Sequence, residues 1–409
     1  MKIATSPLAP AGFPDMPAIP GLHLATAAAG IRYKGRDDVL LAAFPEGATI
    51  AGVFTQSAIC GAPVDWCRQH LTQGSVRAIV ANAGNSNVFT GAAGLQATST
   101  TAKAAASALG CGEEQVFLAS TGVIGERMDA GKIADVLPGM VSASPAGWET
   151  AARAIGTTDT FPKGASAQAK IGDATVTIAG IAKGSGMIAP DMATMLSFIF
   201  TDAKLPAEVL QSALNRSTAV SFNCITVDSD TSTSDTILLA ATGATEHPVI
   251  GEFNDPDLSD FKDKLTQVLT DLAQQVVRDG EGARKFISVS VKGAASNRSA
   301  RKVGLSVANS PLVKTAIAGE DANWGRIAMA VGKSGERVVR DSLGISIGGV
   351  LVARAGAAVD GYDEAPVAGH LKGDEIDIEI DLGIAWGSAT VWTCDLTHAY
   401  IDINADYRS

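Results

Sequence analysis

From Lys183 the chain reads Lys-Gly-Ser-Gly-Met-Ile-Ala-Pro-Asp-Met-Ala-Thr-Met-Leu, a glycine-rich loop that runs into Thr194 at the head of an apolar stretch. A threonine hydroxyl is a poor nucleophile near neutral pH and needs a base within hydrogen-bond reach. Cutting the Ala193–Thr194 bond would supply one, because the freed α-amine, with a pKa of about 7.7 to 8.0, belongs to the nucleophile's own residue. No partner histidine is then required. The same threonine also suits the plainer task of starting a half-buried strand after a Gly/Pro turn.

Other residues narrow the chemistry. The five histidines (His23, His70, His247, His370, His398) show no H-E-x-x-H spacing, and no G-x-S-x-G elbow is present. Gly184-Ser185-Gly186 lacks both the P-loop and the dinucleotide-binding spacing. Asp228 to Asp235 imitates the front of a calcium loop, but Thr233 stands where the loop needs glycine and Leu239 where it needs an acid. A hydrogen-bonding turn is the expectation there. Thr121-Gly122 follows a strand-like run and can aim a hydroxyl and a backbone N–H at one point, as an oxyanion site must, although taken alone it is a turn. Lys183 and Glu281 are isolated charges at element ends, a position normally solvated.

Composition bounds the class. At 409 residues the chain suffices for two domains or one large layered unit. With 32 Lys and Arg against 43 Asp and Glu, the net charge of −11 disfavours a nucleic-acid partner, whose binding rests on phosphate neutralisation. The five cysteines are scattered without a C-x-x-C pair, which argues against a disulfide framework or a zinc site and suits a reducing cytoplasm. No signal-peptide core and no apolar run of membrane-spanning length is seen, so the expectation is a soluble intracellular protein without a membrane partner.

These residues need elements to hold them. Val39 to Phe44, Val76 to Val80 and Gln115 to Ala119 read as strands, and Gly91 to Leu109 as an alanine-rich helix. Residues Ala169 to Ala182 alternate about Gly172-Asp173 as a hairpin would, and Thr194, Leu196, Phe198 and Phe200 share one face of the next strand. Leu258, Phe261, Leu265, Leu269, Leu272 and Val276 predict an amphipathic helix from about Asp257 to Arg278, with Glu281 in the loop beyond it. Phe286 to Val291, Glu375 to Ile380, Thr390 to Cys394 and Ala399 to Ile403 read as strands, and Ser310 to Ala318 as a helix. Without a strict βαβ rhythm, α+β layers fit better than a doubly wound sheet.

Taken in order, several strings resemble the ornithine acetyltransferase (glutamate N-acetyltransferase) family of arginine biosynthesis across nearly the whole chain. They are Ala28-Ala29-Gly30-Ile31, Asn82-Ala83-Gly84-Asn85-Ser86-Asn87, Ser120 to Gly125, Thr157-Thr158-Asp159-Thr160 and Lys183 to Leu196. In the second half come Ile225 to Asp228, Asp279 to Ala283, Gly319 to Ile327, and Ile401 to Asn404. The resemblance implies layered mixed sheets and helices, and self-cleavage between Ala193 and Thr194 into an α chain of residues 1–193 and a β chain of residues 194–409. It makes Thr194 the nucleophile and Thr121 with Gly122 the oxyanion site, and it places substrate contacts at Thr157 or Thr158, Lys183, Thr194, Glu281, Asn404 and Ser409. The implied reaction moves acetyl from N2-acetyl-L-ornithine to L-glutamate by ping-pong kinetics without metal or organic cofactor, in an αβ pair that assembles further as α2β2. Acetyl-CoA as a second donor stays open, as does a related N-terminal-threonine amidohydrolase or aminopeptidase in which water replaces glutamate. Cys224, Arg284 and Ser409 depart from the family pattern, which has arginine, threonine and threonine there, and put exact substrate scope in play.

Overall fold

The computed structural model describes residues 4–189 and 195–405. Two of its sheets stack face to face. One has four strands in the order His23–Ala27, Val39–Ala43, Ala78–Asn85 and Val116–Val123. The other has five, in the order Thr49–Phe54, Thr236–Thr245, Leu196–Ala203, Ala174–Lys183 and Lys163–Ile171. Both mix parallel and antiparallel pairs: Ala78–Asn85 runs parallel to Val116–Val123, and Leu196–Ala203 runs parallel to Thr236–Thr245.

Period-two alternation sorts side chains between layers. Leu40 and Ala42 enter the core shared with the five-stranded sheet, whereas Val39, Leu41 and Ala43 pack beneath the helices Ala92–Leu109 and Gly131–Ser142. In the five-stranded sheet Leu196, Phe198 and Phe200 face that shared core, while Met195 and Ile199 face the helices Ala207–Val220 and Ser259–Arg278. The result is four layers, helix, sheet, sheet and helix, with both sheets buried on two faces. A third sheet of six strands carries Phe286–Ala294 between Glu375–Asp381 and Gly387–Cys394, and its own core is covered by Val303, Ile317, Ile327 and Val367. The layered α+β expectation agrees with this architecture. Among the described residues no helix is long and apolar enough to cross a membrane.

Most expected elements form. The hairpin turns at Gly172-Asp173, with Ile171 opposite Ala174. The amphipathic helix starts at Ser259, two residues late, because Asp255 caps a preceding turn of 3-10 helix over Pro256–Leu258. Two readings are corrected. Ala399 to Ile403 is not a strand but part of the helix His398–Ala405; its short alternation gains no sheet partner, whereas the helix lets Asn404 Nδ2 donate to the Tyr400 carbonyl one turn back at 3.0 Å. Thr121-Gly122 is not a turn but lies inside Val116–Val123, because all eight of that strand's residues pair with Ala78–Asn85.

Candidate active site

A cavity of about 360 Å³ opens where strand ends of the two stacked sheets meet the loop after the long helix. Its walls include Thr121, Gly122, Thr158, Lys183, Glu281 and Asn404, with Thr157 and Ser86 beside them. Six residues expected to act together, spread over nearly three hundred positions of sequence, therefore line one space. Ala193, Thr194 and Ser409 lie outside the described residues. A slightly larger cavity of about 380 Å³ beside Arg36 and Arg153 is walled mainly by alanines, backbone and residues already engaged in hydrogen bonds.

Parallel pairing sets the first wall. Gly122 lies opposite Gly84 and has φ +130°, and a Cβ there would stand 2.3 Å from the Gly84 carbonyl carbon. Only glycine permits that approach. Thr121 Oγ1 accepts from Lys183 Nζ at 3.2 Å, so the hydroxyl's own proton stays available to an oxygen in the cavity. Lys183 ends the strand Ala174–Lys183, opposite Leu196, and is only 6% exposed. Burial holds its ammonium below the ordinary lysine range, against the pull of Asp159, Glu281 and Asp235.

The loop after Lys183 is tied on both flanks. Ser185 shares a 2.7 Å hydrogen bond with Thr158, and its carbonyl accepts from the Glu281 N–H at 2.9 Å. Gly186 lies so close beneath Glu281 that an added Cβ would be 2.4 Å from Oε2. Met187 and Ile188 donate their N–H groups to Asp228 at 2.6 and 2.9 Å. Where the described chain resumes, Met195 donates its N–H to Asp235 Oδ1 at 2.9 Å. Asp228 and Asp235 thus anchor backbone on either side of the segment that carries Thr194, the hydrogen-bonding role expected of this acidic stretch. Burial pushes both carboxyls up, Asp235 well above the usual range.

The helix His398–Ala405 supplies the last wall. Asn404 Nδ2 donates to Glu281 Oε2 at 2.8 Å, Thr397 Oγ1 donates to the Gly282 carbonyl at 2.7 Å, and Tyr400 reaches Asp228 at 3.2 Å. Burial, and after it the charge of Asp228 and its hydrogen bond to the phenol, hold the Tyr400 hydroxyl above its ordinary pKa. Of the two departures within the described residues, Cys224 is packed with Ala308 and Val391, its thiol pushed up to about 11 by burial, and lines no part of this cavity. Arg284 lines a neighbouring cavity of about 360 Å³ that shares Thr158 and Glu281 with the first.

Three charged residues were not singled out from the sequence. Asp159, Lys163 and Asp279 form a buried cluster behind the Thr157-Thr158 turn, with Lys163 Nζ 2.7 Å from Asp159 and 2.6 Å from Asp279. The available signal was an acid and a base four residues apart around a strand start, with a third charge over a hundred residues away.

Comparison with known proteins decides the family. A family profile described as the ArgJ family matches residues 23–409. The arginine biosynthesis bifunctional protein ArgJ of Gluconobacter oxydans is 56% identical over 408 residues, covering 100% of this chain and 96% of that protein. The protein of the same name from Nitrobacter winogradskyi is 58% identical over 417 residues, with both chains covered in full. The chain belongs to the ArgJ family. It is thereby an arginine-biosynthesis enzyme of the bifunctional ArgJ type. A crystal structure of the Bacillus halodurans ArgJ protein aligns at 42% identity over 52% of this chain and 99% of that one, with a TM-score of 0.49. The ArgJ assignment extends across both stacked sheets and the six-stranded sheet, so every wall of the cavity lies within the matched residues.

Proposed function

We propose that this ArgJ chain cleaves itself between Ala193 and Thr194 and then transfers acetyl from N2-acetyl-L-ornithine to L-glutamate through an acetyl-Thr194 ester. The observation that carries the reading is the convergence of Thr121, Gly122, Lys183 and Glu281 on one cavity, reached by the same glycine loop that precedes Thr194 in sequence.

The steps follow from side-chain chemistry. In maturation the Thr194 hydroxyl attacks the Ala193 carbonyl, the acyl group shifts from nitrogen to oxygen, and water hydrolyses the ester, leaving residues 1–193 and 194–409 as α and β chains. The freed α-amine then takes the hydroxyl proton as Oγ attacks the acetyl carbonyl. The Thr121 hydroxyl and the Gly122 N–H are the donors for the developing oxyanion, a role worth about 10² to 10³ in kcat per donor. The C–N bond breaks and ornithine leaves with the proton from the amine. Glutamate's amine attacks the acetyl ester, N-acetyl-L-glutamate departs and the hydroxyl is restored.

Charge complementarity supports the substrate pair. Among the described residues Lys183 Nζ donates only to Thr121, and its other two N–H donors suit an α-carboxylate, while the Glu281 carboxylate suits the δ-ammonium of ornithine. Thr158 and Asn404 line the space between, and the terminal Ser409 and Thr157 complete the contacts the resemblance implies. No metal or organic cofactor enters the scheme, since amine and hydroxyl supply base and nucleophile. Acetyl-CoA as a second acetyl donor would account for the bifunctional name of the relatives. The α and β chains would pair and associate further as α2β2, and the five free cysteines suit a reducing cytoplasm.

Intact-mass measurement of the wild type beside Thr194→Ala tests the first step, and glutamate-dependent ornithine release tests the second. Two fragments meeting at 193/194 in the wild type alone, with ornithine release that requires glutamate, are expected. One uncut chain in both proteins overturns the mechanism, and release at equal rate without glutamate converts the reading to an amidohydrolase.

A further inference from the structure

Lys163 is fully buried and stands between two carboxylates, a placement that costs several kcal/mol of desolvation per ion unless every partner is in place. Its ammonium donates to Asp159 Oδ1 at 2.7 Å, to Asp279 Oδ2 at 2.6 Å and to the Phe161 carbonyl at 3.3 Å, over the Phe161 ring. Each carboxylate in turn grips backbone that shapes the cavity. Asp159 accepts from the Thr157 N–H at 3.0 Å and from the Gly184 N–H, next to Lys183, at 2.7 Å. Asp279 closes the helix Ser259–Arg278 two residues before Glu281 and accepts from the Thr160 N–H at 2.9 Å and from the Thr160 hydroxyl.

One buried cation thereby joins the Thr157-Thr158 turn, the chain at Lys183-Gly184 and the approach to Glu281. The cluster also has an electrostatic consequence. Lys183 is desolvated, and the charges that bear on it are Asp159, Glu281 and Asp235, which favour its protonated form, and Lys163, which opposes it. Asp159 is first among these neighbours and is itself kept ionised, burial notwithstanding, by Lys163, Lys183 and the Gly184 N–H.

We propose that Asp159, clamped by Lys163, is a positioning residue for Lys183: it fixes the chain that carries Lys183 and keeps that ammonium charged inside the cavity. The role rests on the reading of Lys183 as the partner of a substrate carboxylate. Asp159 touches no reacting atom in this scheme; it acts through Lys183 and the Gly184 N–H. Asp159→Asn keeps one acceptor oxygen, for the Gly184 N–H, gives up the one that takes the Thr157 N–H, and removes the charge, so Lys183 should lose its proton at lower pH.

Two readouts on the intact protein test this. The first is NMR titration of the lysine side chains in the wild type and in Asp159→Asn, with the Lys183 resonance assigned by its loss in Lys183→Arg. The second is kcat and KM for acetylornithine across pH. A protonated Lys183 in the wild type at about pH 8 is expected, with a midpoint lower by about one unit in Asp159→Asn, and hence a KM that rises about tenfold on the alkaline side while kcat changes little. Asp159→Glu should restore most of the alkaline KM, which a role in packing alone would not. An unchanged Lys183 midpoint in Asp159→Asn overturns the proposal. Should that variant fail to fold, a neutral Lys183 in the wild type at about pH 8 overturns it just as well. If the midpoint shifts as expected but the wild type releases no ornithine from acetylornithine, the substrate reading fails and the electrostatic role of Asp159 stands.

Discussion

Gly122 holds φ +130° against the Gly84 carbonyl, so a methyl group at this position meets both a hostile backbone conformation and an occupied space. Gly122→Ala should therefore displace the N–H offered to the oxyanion and lower kcat at least about 10²-fold. Initial rates at saturating acetylornithine and glutamate check this, and a kcat within threefold, about 0.7 kcal/mol, would remove Gly122 from the oxyanion site. Asp235 yields a prediction of opposite kind, about pH. Its folded carboxyl is raised well above the ordinary value by burial, so between the two values the folded state binds more protons than the unfolded state. The stability it contributes is full below the unfolded pKa, about 3.9, and is lost as pH rises through the folded one. Asp235→Asn keeps an acceptor for the Met195 N–H and has no proton to lose. The melting temperature of the variant minus that of the wild type should become more positive from about pH 5 to about pH 8; a constant difference would mean Asp235 titrates alike in both states. Thr121, Gly122, Lys183, Glu281 and Asn404 were legible in the sequence because whole strings around them resemble a family, while their local chemistry alone read as turns and solvated charges. Asp159, Lys163 and Asp279 were not, because burial decides the meaning of a charge and burial is set by three segments that meet only in the fold.

Among the elements, strands were the easiest to foresee where both faces are buried, since the runs Val39–Ala43 and Leu196–Ala203 carry apolar side chains to two different cores. The helix His398–Ala405 was hidden, because eight residues carry too little periodicity to separate helix from strand. What defines it is tertiary: Thr397 on Gly282, Tyr400 on Asp228 and Asn404 on Glu281. Gly282, at φ +76°, passes so close that a Cβ would stand 2.6 Å from the Tyr400 amide nitrogen. Gly282→Ala should push this helix off the loop and strip Asn404 from Glu281, raising KM for acetylornithine about tenfold, the worth of one hydrogen bond to a charged group, while the strands and their cores stay intact. The check is a steady-state KM beside a far-ultraviolet circular dichroism spectrum. An unchanged KM would show that the helix can shift without disturbing Glu281, and a collapsed spectrum would show that it supports the fold as well as the cavity.

At the scale of the whole molecule, the proposed cleavage point falls between neighbouring strands of one sheet rather than between independent bodies. Ala174–Lys183 precedes it and pairs antiparallel with Leu196–Ala203 after it, from Lys183 opposite Leu196 to Ile178 opposite Thr201. The outer strands are shared out as well, because Thr49–Phe54 from the first part pairs with Thr236–Thr245 from the second. Both large cores draw on the two parts: Ile178 and Val176 pack with Leu265 and Leu272, and Leu40 and Phe117 with Phe198 and Phe200. Separating the parts would open two sheet pairings and expose dozens of buried apolar side chains, each worth about 1.5 to 3 kcal/mol when fully buried. Cleavage at 193/194 should thus free the Thr194 amine without freeing the chains. Size-exclusion chromatography of cleaved protein in native buffer should give one peak in which denaturing electrophoresis finds both fragments in equal amounts. They should separate only at denaturant concentrations that also abolish the far-ultraviolet signal of the sheets. Fragments that part in native buffer would mean that the sheet pairing across the cut does not hold them, and the cavity, with Thr121 and Lys183 on one chain and Glu281 and Asn404 on the other, could not then persist as a site.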